Sequence, residues 1–291
     1  MTMNSVFRNL FNAEILPDTV YHYTNGSAFL GIVQNKELWA SHIRFQNDKT
    51  EAIYSLGILR EVLEEEKEIF VQKGFDIEKI LSFTSSFTGL ATFTLSFSGK
   101  KDDLNQWRSY ANTTPSYCIG FSTALLRQII IENKKEKVSD VKSITETLFA
   151  KCIYKRDIQK SIIENIINHV MKTEIVKGKY IEEGIAGLIM QDFLPISAFF
   201  KHPSFEEEDE YRLMFSPVKN DKINIRIGKN GFIPYVKVPF SEDCLRDIII
   251  APCPDEKHIF DSTLYVCMHS GIEFCKSTER TIENSIVPYR Q

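Results

Sequence analysis

The chain has 291 residues, 43% of them hydrophobic and 25% charged, with a formal net charge of −4 and a pI near 5.9. That apolar fraction supports a real core and excludes wholesale disorder, and the weak acidity argues against a protein that coats nucleic acid through bulk positive charge. No run approaches the roughly 18 apolar residues a membrane span needs, and no basic region followed by an apolar stretch opens the chain, so the expectation is a soluble, cytoplasmic protein. Cys118, Cys152, Cys244, Cys253, Cys267 and Cys275 include no C-x-x-C pair and read as free thiols in a reducing compartment.

Along the chain, Tyr21 to Thr24 reads as a strand, in which His22 and Thr24 share a face because side chains alternate. Ser27 is a candidate N-cap for a helix to Leu38 with Ala28, Leu30, Ile32 and Val33 on its apolar stripe. Leu38 to Ser41 reads as a short strand, Gln46-Asn47-Asp48 as a polar turn, and Ala52, Ile53, Leu56, Leu59, Val62 and Leu63 as one face of a helix. Glu61 to Glu68 reads as the solvated side of that helix.

Phe93 to Ser98 alternates apolar and polar, the signature of a half-buried strand. A short helix carries Leu104, Trp107, Tyr110 and Ala111, followed by a strand at Tyr117 to Phe121 and a helix at Thr123 to Ile131. Beyond a charged connection at Lys134 to Lys142, helical patterns run around Asp157–Lys177 and Glu182–Phe200. Short β-rich runs then follow at Glu210–Phe215, Ile223–Ile227, Ile233–Val238 and Asp247–Ala251, with a helix near Glu256–His269 and a last strand at Ile272–Lys276. Strands at both ends with helices between them predict one α+β domain over residues 1–291, with a helical insertion over 123–200.

Two constellations bear on chemistry. On a strand, Glu208, Glu210 and Arg212 share one face, opposite Tyr211, Leu213 and Phe215. A carboxylate so placed, with a neighbouring arginine and Lys201, can hold a ribose hydroxyl and stabilise positive charge developing on a sugar ring; a solvated acidic loop explains the same pattern. Trp107 and Tyr110, three apart on a helix, fit either core packing or a platform for a planar ligand. Asn47, Asp48 and Glu51 fit a pocket wall or a simple helix cap. Walker A, Gly-x-Gly-x-x-Gly, His-Glu-x-x-His and Gly-x-Ser-x-Gly motifs are missing, which weakens kinase, dinucleotide oxidoreductase, zinc protease and serine hydrolase readings.

Taken together, Tyr21-His22-Tyr23-Thr24, Asn47-Asp48-x-x-Glu51, Trp107-x-x-Tyr110-Ala111 and Lys201-His202-x-x-Phe205-x-x-Glu208-x-Glu210-x-Arg212 resemble an uncharacterised bacterial domain family, and Ile286 to Arg290 fits its end. More distantly, the opening His22-x-Thr24 with its following helix is similar to diphtheria-toxin-like and poly-ADP-ribose-polymerase-like ADP-ribosyltransferases. That resemblance implies split mixed and antiparallel sheets with NAD, as substrate, between them. His22, Tyr23, Thr24, Asn47 and Arg212 would line the NAD site, Glu210 (or Glu208) would be the catalytic glutamate, and Tyr54 or Tyr110 the nicotinamide-stacking tyrosine. Tyr23 stands where those families carry glycine, a residue that lets a ligand approach the backbone closely. The implied activity is NAD-dependent mono-ADP-ribosylation, or NAD cleavage, with a protein or nucleic acid as acceptor and, by analogy, a bacterial role in defence or toxicity. Two other readings stay open: a non-enzymatic nucleotide-sensing or protein-binding module on the same fold, and a metal-dependent nuclease or hydrolase drawing on His22, His202, Asp48, Glu208 and Glu210.

Overall fold

The structure, a computed structural model, describes residues 16–45, 49–86, 92–110, 113–133, 146–172, 182–216, 223–228, 231–274 and 280–288. The alternating TVYHYTN run forms β1 (Thr19–Asn25), which places Val20, His22 and Thr24 on one face and Tyr21 and Tyr23 on the other. Asn25, not Ser27, caps the next helix, α1 (Gly26–Asn35), by accepting a hydrogen bond from the Ala28 amide at 2.9 Å. Lys36 ends α1 in the left-handed region (φ 51°), with its amide bonded to the Ile32 carbonyl, and turns the chain into β2 (Glu37–His42). Leu38 therefore opens a strand rather than closing a helix.

Three helices follow, α2 (Lys49–Glu65), α3 (Lys67–Gln72) and α4 (Ile77–Ser86), and then β3 (Phe93–Ser98), α5 (Leu104–Tyr110), β4 (Ser116–Ser122) and α6 (Thr123–Asn133). The expected helical insertion is interrupted: β5 (Glu146–Lys151) precedes α7 (Arg156–Lys172) and α8 (Glu182–Ser197). The run ETLFAK is too short for its periodicity to reveal a strand, and its pairing with β6 (Glu210–Ser216) is what makes it one. The hairpin β7 (Asn224–Gly228) and β8 (Gly231–Pro239), then β9 (Leu245–Ile250) and α9 (Glu256–His269), complete the order. Among the described residues the last strand is β10 (Thr281–Asn284); of the expected strand Ile272–Lys276, Ile272 packs into the core and Cys275 and Lys276 lie outside the described residues.

The chain is mixed α/β, and among the described residues the strands form one open, mixed sheet of ten strands rather than two separate sheets. All pairs are antiparallel except β9 with β10. One edge of β3 is taken over its whole length by β6, from Phe93↔Phe215 to Ser98↔Glu210. Its other edge is shared: β1 meets it only at Tyr21↔Ser98, and β2 only at Thr94 and Phe93. The sheet therefore forks beside Leu95 and Ser96, with β1, β4, β9 and β10 on one arm and β2, β8 and β7 on the other.

Alternation sends Phe93, Leu95, Phe97, Tyr211, Leu213 and Phe215 to one face, where α1, α6 and α9 cover them. The opposite face carries α2, α4, α7 and α8, whose core includes Ile58, Val62, Ile80, Ile163, Ile166, Ile189 and Phe193 and reaches the sheet at Ala150 and Met214. This helical layer thus joins two chain segments, one before β3 and one after β5. No helix among the described residues is long and apolar enough to cross a membrane.

Because Phe193 is fully buried between these helices, truncation leaves a cavity its neighbours only partly fill. Phe193→Ala should lower stability by about 3–5 kcal/mol, read as a shift of the denaturant midpoint with an unchanged slope.

Candidate functional site

The fork opens a cleft of about 700 Å³, within the range of roughly 300–1,000 Å³ usual for small-molecule sites. β1 contributes His22 and Thr24, α1 contributes Ser27 and Gly31, and β2 contributes Glu37, Trp39 and Ser41. Thr94 and Ser96 of β3, Tyr110 of α5, Glu51 of α2, Lys201, Glu210 and Arg212, and Arg226 of β7 complete the walls. A side chamber of about 70 Å³ lies against His22, Tyr110, Glu208 and Glu210.

His22 spans the opening of the fork. Its Nδ1 lies 3.0 Å from the Ser96 carbonyl, which can only accept, so Nδ1 carries the hydrogen. Burial lowers the imidazole pKa, only partly opposed by that hydrogen bond, and keeps the ring neutral. Nε2 is then left as an acceptor suited to a hydroxyl. Phe97 packs edge-on against the ring at 5.9 Å and holds its plane.

Except for Glu51 of α2, the carboxylates and their cations come from one folded segment, in which Glu208 ends a helical turn instead of sharing a strand face with Glu210 and Arg212 as the sequence suggests. His202 caps the short helical turn Pro203–Glu208, and Asp209 (φ 46°) reverses the chain into β6. The Gly99 amide donates to the Asp209 carbonyl at 2.8 Å; a Cβ on Gly99 would stand 2.0 Å from Asp209 Oδ2, so any larger residue here would have to displace the Asp209 carboxylate. Lys201 reaches back over the Phe205 ring (5.4 Å) to Glu208 Oε2 at 2.5 Å and to Glu210 Oε2. Arg212 donates from Nε to Glu210 Oε1 at 2.6 Å, from Nη2 to Glu51 Oε1 and Oε2 at 2.9 and 2.7 Å, and from Nη1 to the Ala198 carbonyl at 2.8 Å. The K-H-x-x-F-x-x-E-x-E-x-R spacing is thereby a buried ion-pair network as well as a site feature.

Burial alone would push the Glu210 carboxyl up, but the Arg212 and Lys201 charges outweigh it and bring it down to about 2. Glu51 goes the other way, since burial raises it and Arg212 only partly compensates. A carboxylate offers about four lone-pair positions. Lys201 Nζ and Arg212 Nη2 take Oε2 and Arg212 Nε takes one position on Oε1, which leaves one on Oε1 for a ligand hydroxyl.

Of the residues singled out from sequence, the fold gathers His22, Thr24, Tyr110, Glu210 and Arg212 around the cleft, with Glu208 at its side chamber. Tyr23 borders the cleft, but its side chain is buried against Trp107 at 4.9 Å; its hydroxyl donates to the Lys100 carbonyl at 2.8 Å and accepts from the Asp103 amide at 2.9 Å. Tyr23 is thus a strut, and its bulk is turned away from any ligand. Tyr54 does not line the cleft: its hydroxyl donates to Gln159 Oε1 at 2.9 Å and its ring packs on His202. Trp107 is core, with its indole N–H on Asp102 Oδ1 at 2.7 Å, whereas Tyr110, 47% exposed, faces the cleft. Asn47 and Asp48 lie outside the described residues. His202 is an exposed cap, away from His22, and among the described residues no group of three or more histidine, cysteine or acidic side chains is placed to hold a metal.

Sequence reasoning missed Glu37, Trp39, Ser41, Thr94 and Arg226. For Trp39 a signal existed, since alternation with Leu38 and Ala40 in the core turns an indole outward. For Arg226 there was none.

Residues 106–213 match the family described as "Protein of unknown function (DUF2971)". The match takes in α5 and the Lys201–Arg212 turn but not β1, α1 or β2, so it covers only one side of the cleft and brings no activity with it. No curated protein and no solved structure matches the chain.

The depressed Glu210 pKa fixes a pH dependence. Its ion pairs contribute fully above the ordinary carboxylate value of 4.5 and are lost as pH falls from 4.5 towards 2. Glu51, being raised, acts in the opposite sense and above that window. Unfolding free energy should drop steeply between pH 4.5 and 2 in the native chain and less steeply in Glu210→Gln, as measured by denaturant titration at each pH.

Proposed function

We infer that the forked cleft binds a nucleotide and that the protein is an NAD-consuming enzyme, a mono-ADP-ribosyltransferase or an NAD-cleaving relative. The observation that carries this reading is the convergence of His22, Thr24, Tyr110 and Glu210 on one cleft, where the sheet divides. A split-sheet arrangement resembling the ADP-ribosyltransferase fold belongs to the same proposal, and the fork at β3 supports it.

In this reading the neutral His22 accepts from a ribose hydroxyl through Nε2, with Thr24 beside it, and Tyr110 offers a ring to the nicotinamide. The free position on Glu210 Oε1 accepts from a hydroxyl of the nicotinamide ribose. The C1′–nitrogen bond breaks and its electron pair leaves with nicotinamide, while positive charge builds on the ribose ring. The fixed negative charge of Glu210 stabilises that charge more strongly in the transition state than in bound NAD. An acceptor nucleophile bonds to C1′ and releases its proton, giving an ADP-ribosylated acceptor or, with water, ADP-ribose. Glu51 and Arg212 act behind Glu210, holding its carboxylate in one orientation.

A second reading is favoured by the same network. Glu210 is 5% exposed and already bound to two cations, as suits a cleft that senses a nucleotide or a protein partner without turning it over.

Nicotinamide release from NAD by the purified protein, with an acceptor mixture present, separates the two. The enzyme reading expects release, lowered about 10²-fold or more in Glu210→Gln. Release within a few-fold of the native rate in that variant removes Glu210 from the chemistry, and NAD binding without release establishes the sensing module.

A further inference from the structure

Trp39 and Arg226 lie on the β2–β8–β7 arm, across β3 from the strand that carries Glu210. Trp39 is 43% exposed. Its indole is held by a hydrogen bond from Nε1 to Glu37 Oε1 at 3.2 Å and by stacking on Tyr235 at 4.4 Å and 29°, and Glu37 is itself held by Lys237 at 2.9 Å. A large aromatic surface kept rigid at the mouth of a cleft is ready to stack on a planar ligand with little loss of side-chain freedom.

Arg226 donates from Nη2 to Ser41 Oγ at 3.0 Å, and its Nε is buried without a hydrogen-bond partner. Among the described residues no carboxylate makes an ion pair with it, whereas Lys201 and Arg212 in the same cleft are saturated with carboxylates. A guanidinium with spare donors and a buried, unpaired N–H is matched by a phosphate, whose oxygens accept in pairs. Ser41 adds a hydroxyl at the same place.

Trp39 and Ser41 are two residues apart on one strand face, a separation of roughly 7 Å. That is the span a ribose covers between its base and its 5′-phosphate. We propose that this wall is a nucleoside 5′-phosphate subsite, with the base stacked on Trp39 and the phosphate on Arg226 and Ser41. The assignment rests on the nucleotide reading of the cleft and deepens it: the ligand is selected by a phosphorylated nucleoside half, independently of any chemistry at Glu210.

The chain has two tryptophans, and Trp107 is fully buried, so only Trp39 is open to direct contact with a ligand, and the Trp39→Phe variant separates its emission from that of Trp107. ADP should quench this emission, with adenosine binding about 10-fold more weakly or worse, the scale of losing one charge-assisted contact. Arg226→Gln should bring ADP down to the adenosine level, and Trp39→Phe should abolish the quench while calorimetry still detects weakened ADP binding. Equal affinity of the native chain for ADP and adenosine, a comparison that needs no variant, overturns the proposal. So does native ADP affinity in Arg226→Gln, or a quench that survives Trp39→Phe. Arg226-dependent ADP binding without nicotinamide release sinks the catalytic reading alone. Nicotinamide release with an unchanged KM in both variants sinks this subsite alone.

Discussion

After β6 has paired along β3, a single edge of β3 remains, and two strands share it. Neither β1 nor β2 can pair along its full length there, so the backbone groups between their contacts need other partners. The His22 side chain supplies one by donating to the Ser96 carbonyl, and the space beside it becomes the cleft. The remaining structure follows from keeping this opening in place: α1 packs beneath it through Phe29, Ile32 and Val33, and β4 and β8 hold the two arms apart through long antiparallel ladders.

The second constraint is charge. Five ionised groups, Glu51, Lys201, Glu208, Glu210 and Arg212, meet where the cleft touches the helical layer. Buried ions are costly unless paired and hydrogen-bonded, and here Glu51 comes from α2 while Lys201, Glu208, Glu210 and Arg212 come from the segment that leads from α8 into β6. The network therefore ties the helical layer to the sheet at the floor of the site. It also fixes the Glu210 carboxylate in one orientation, with one hydrogen-bond position on Oε1 left open.

Much of this was readable residue by residue. The alternation in Tyr21–Thr24 and Phe93–Ser98 and the shared face of Glu210 and Arg212 are local properties and survive folding, but Phe93–Ser98 is not the half-buried strand its alternation suggests: Thr94 and Ser98 are buried as well as Phe93, Leu95 and Phe97, because the strand is covered on both faces. The strand β5 and the last strand β10 were not readable, since their states depend on pairing with β6 and β9. Tyr23 was legible as part of a motif but not as a strut, because its partners, the Lys100 carbonyl, the Asp103 amide and Trp107, lie about 80 residues away.

The sequence by itself determined the mixed α/β character, most strand faces, the dense charge of Lys201–Arg212, and the His22–Thr24 pair, since periodicity and spacing act over a few residues. Only the tertiary structure decided that β1 and β2 would share one edge of β3, that Glu51 would meet Arg212 across 161 positions, and that Trp39 and Arg226 would complete the opposite wall. Those juxtapositions are set by which strand edges remain free and which charges must be buried together, and both are properties of the assembled sheet.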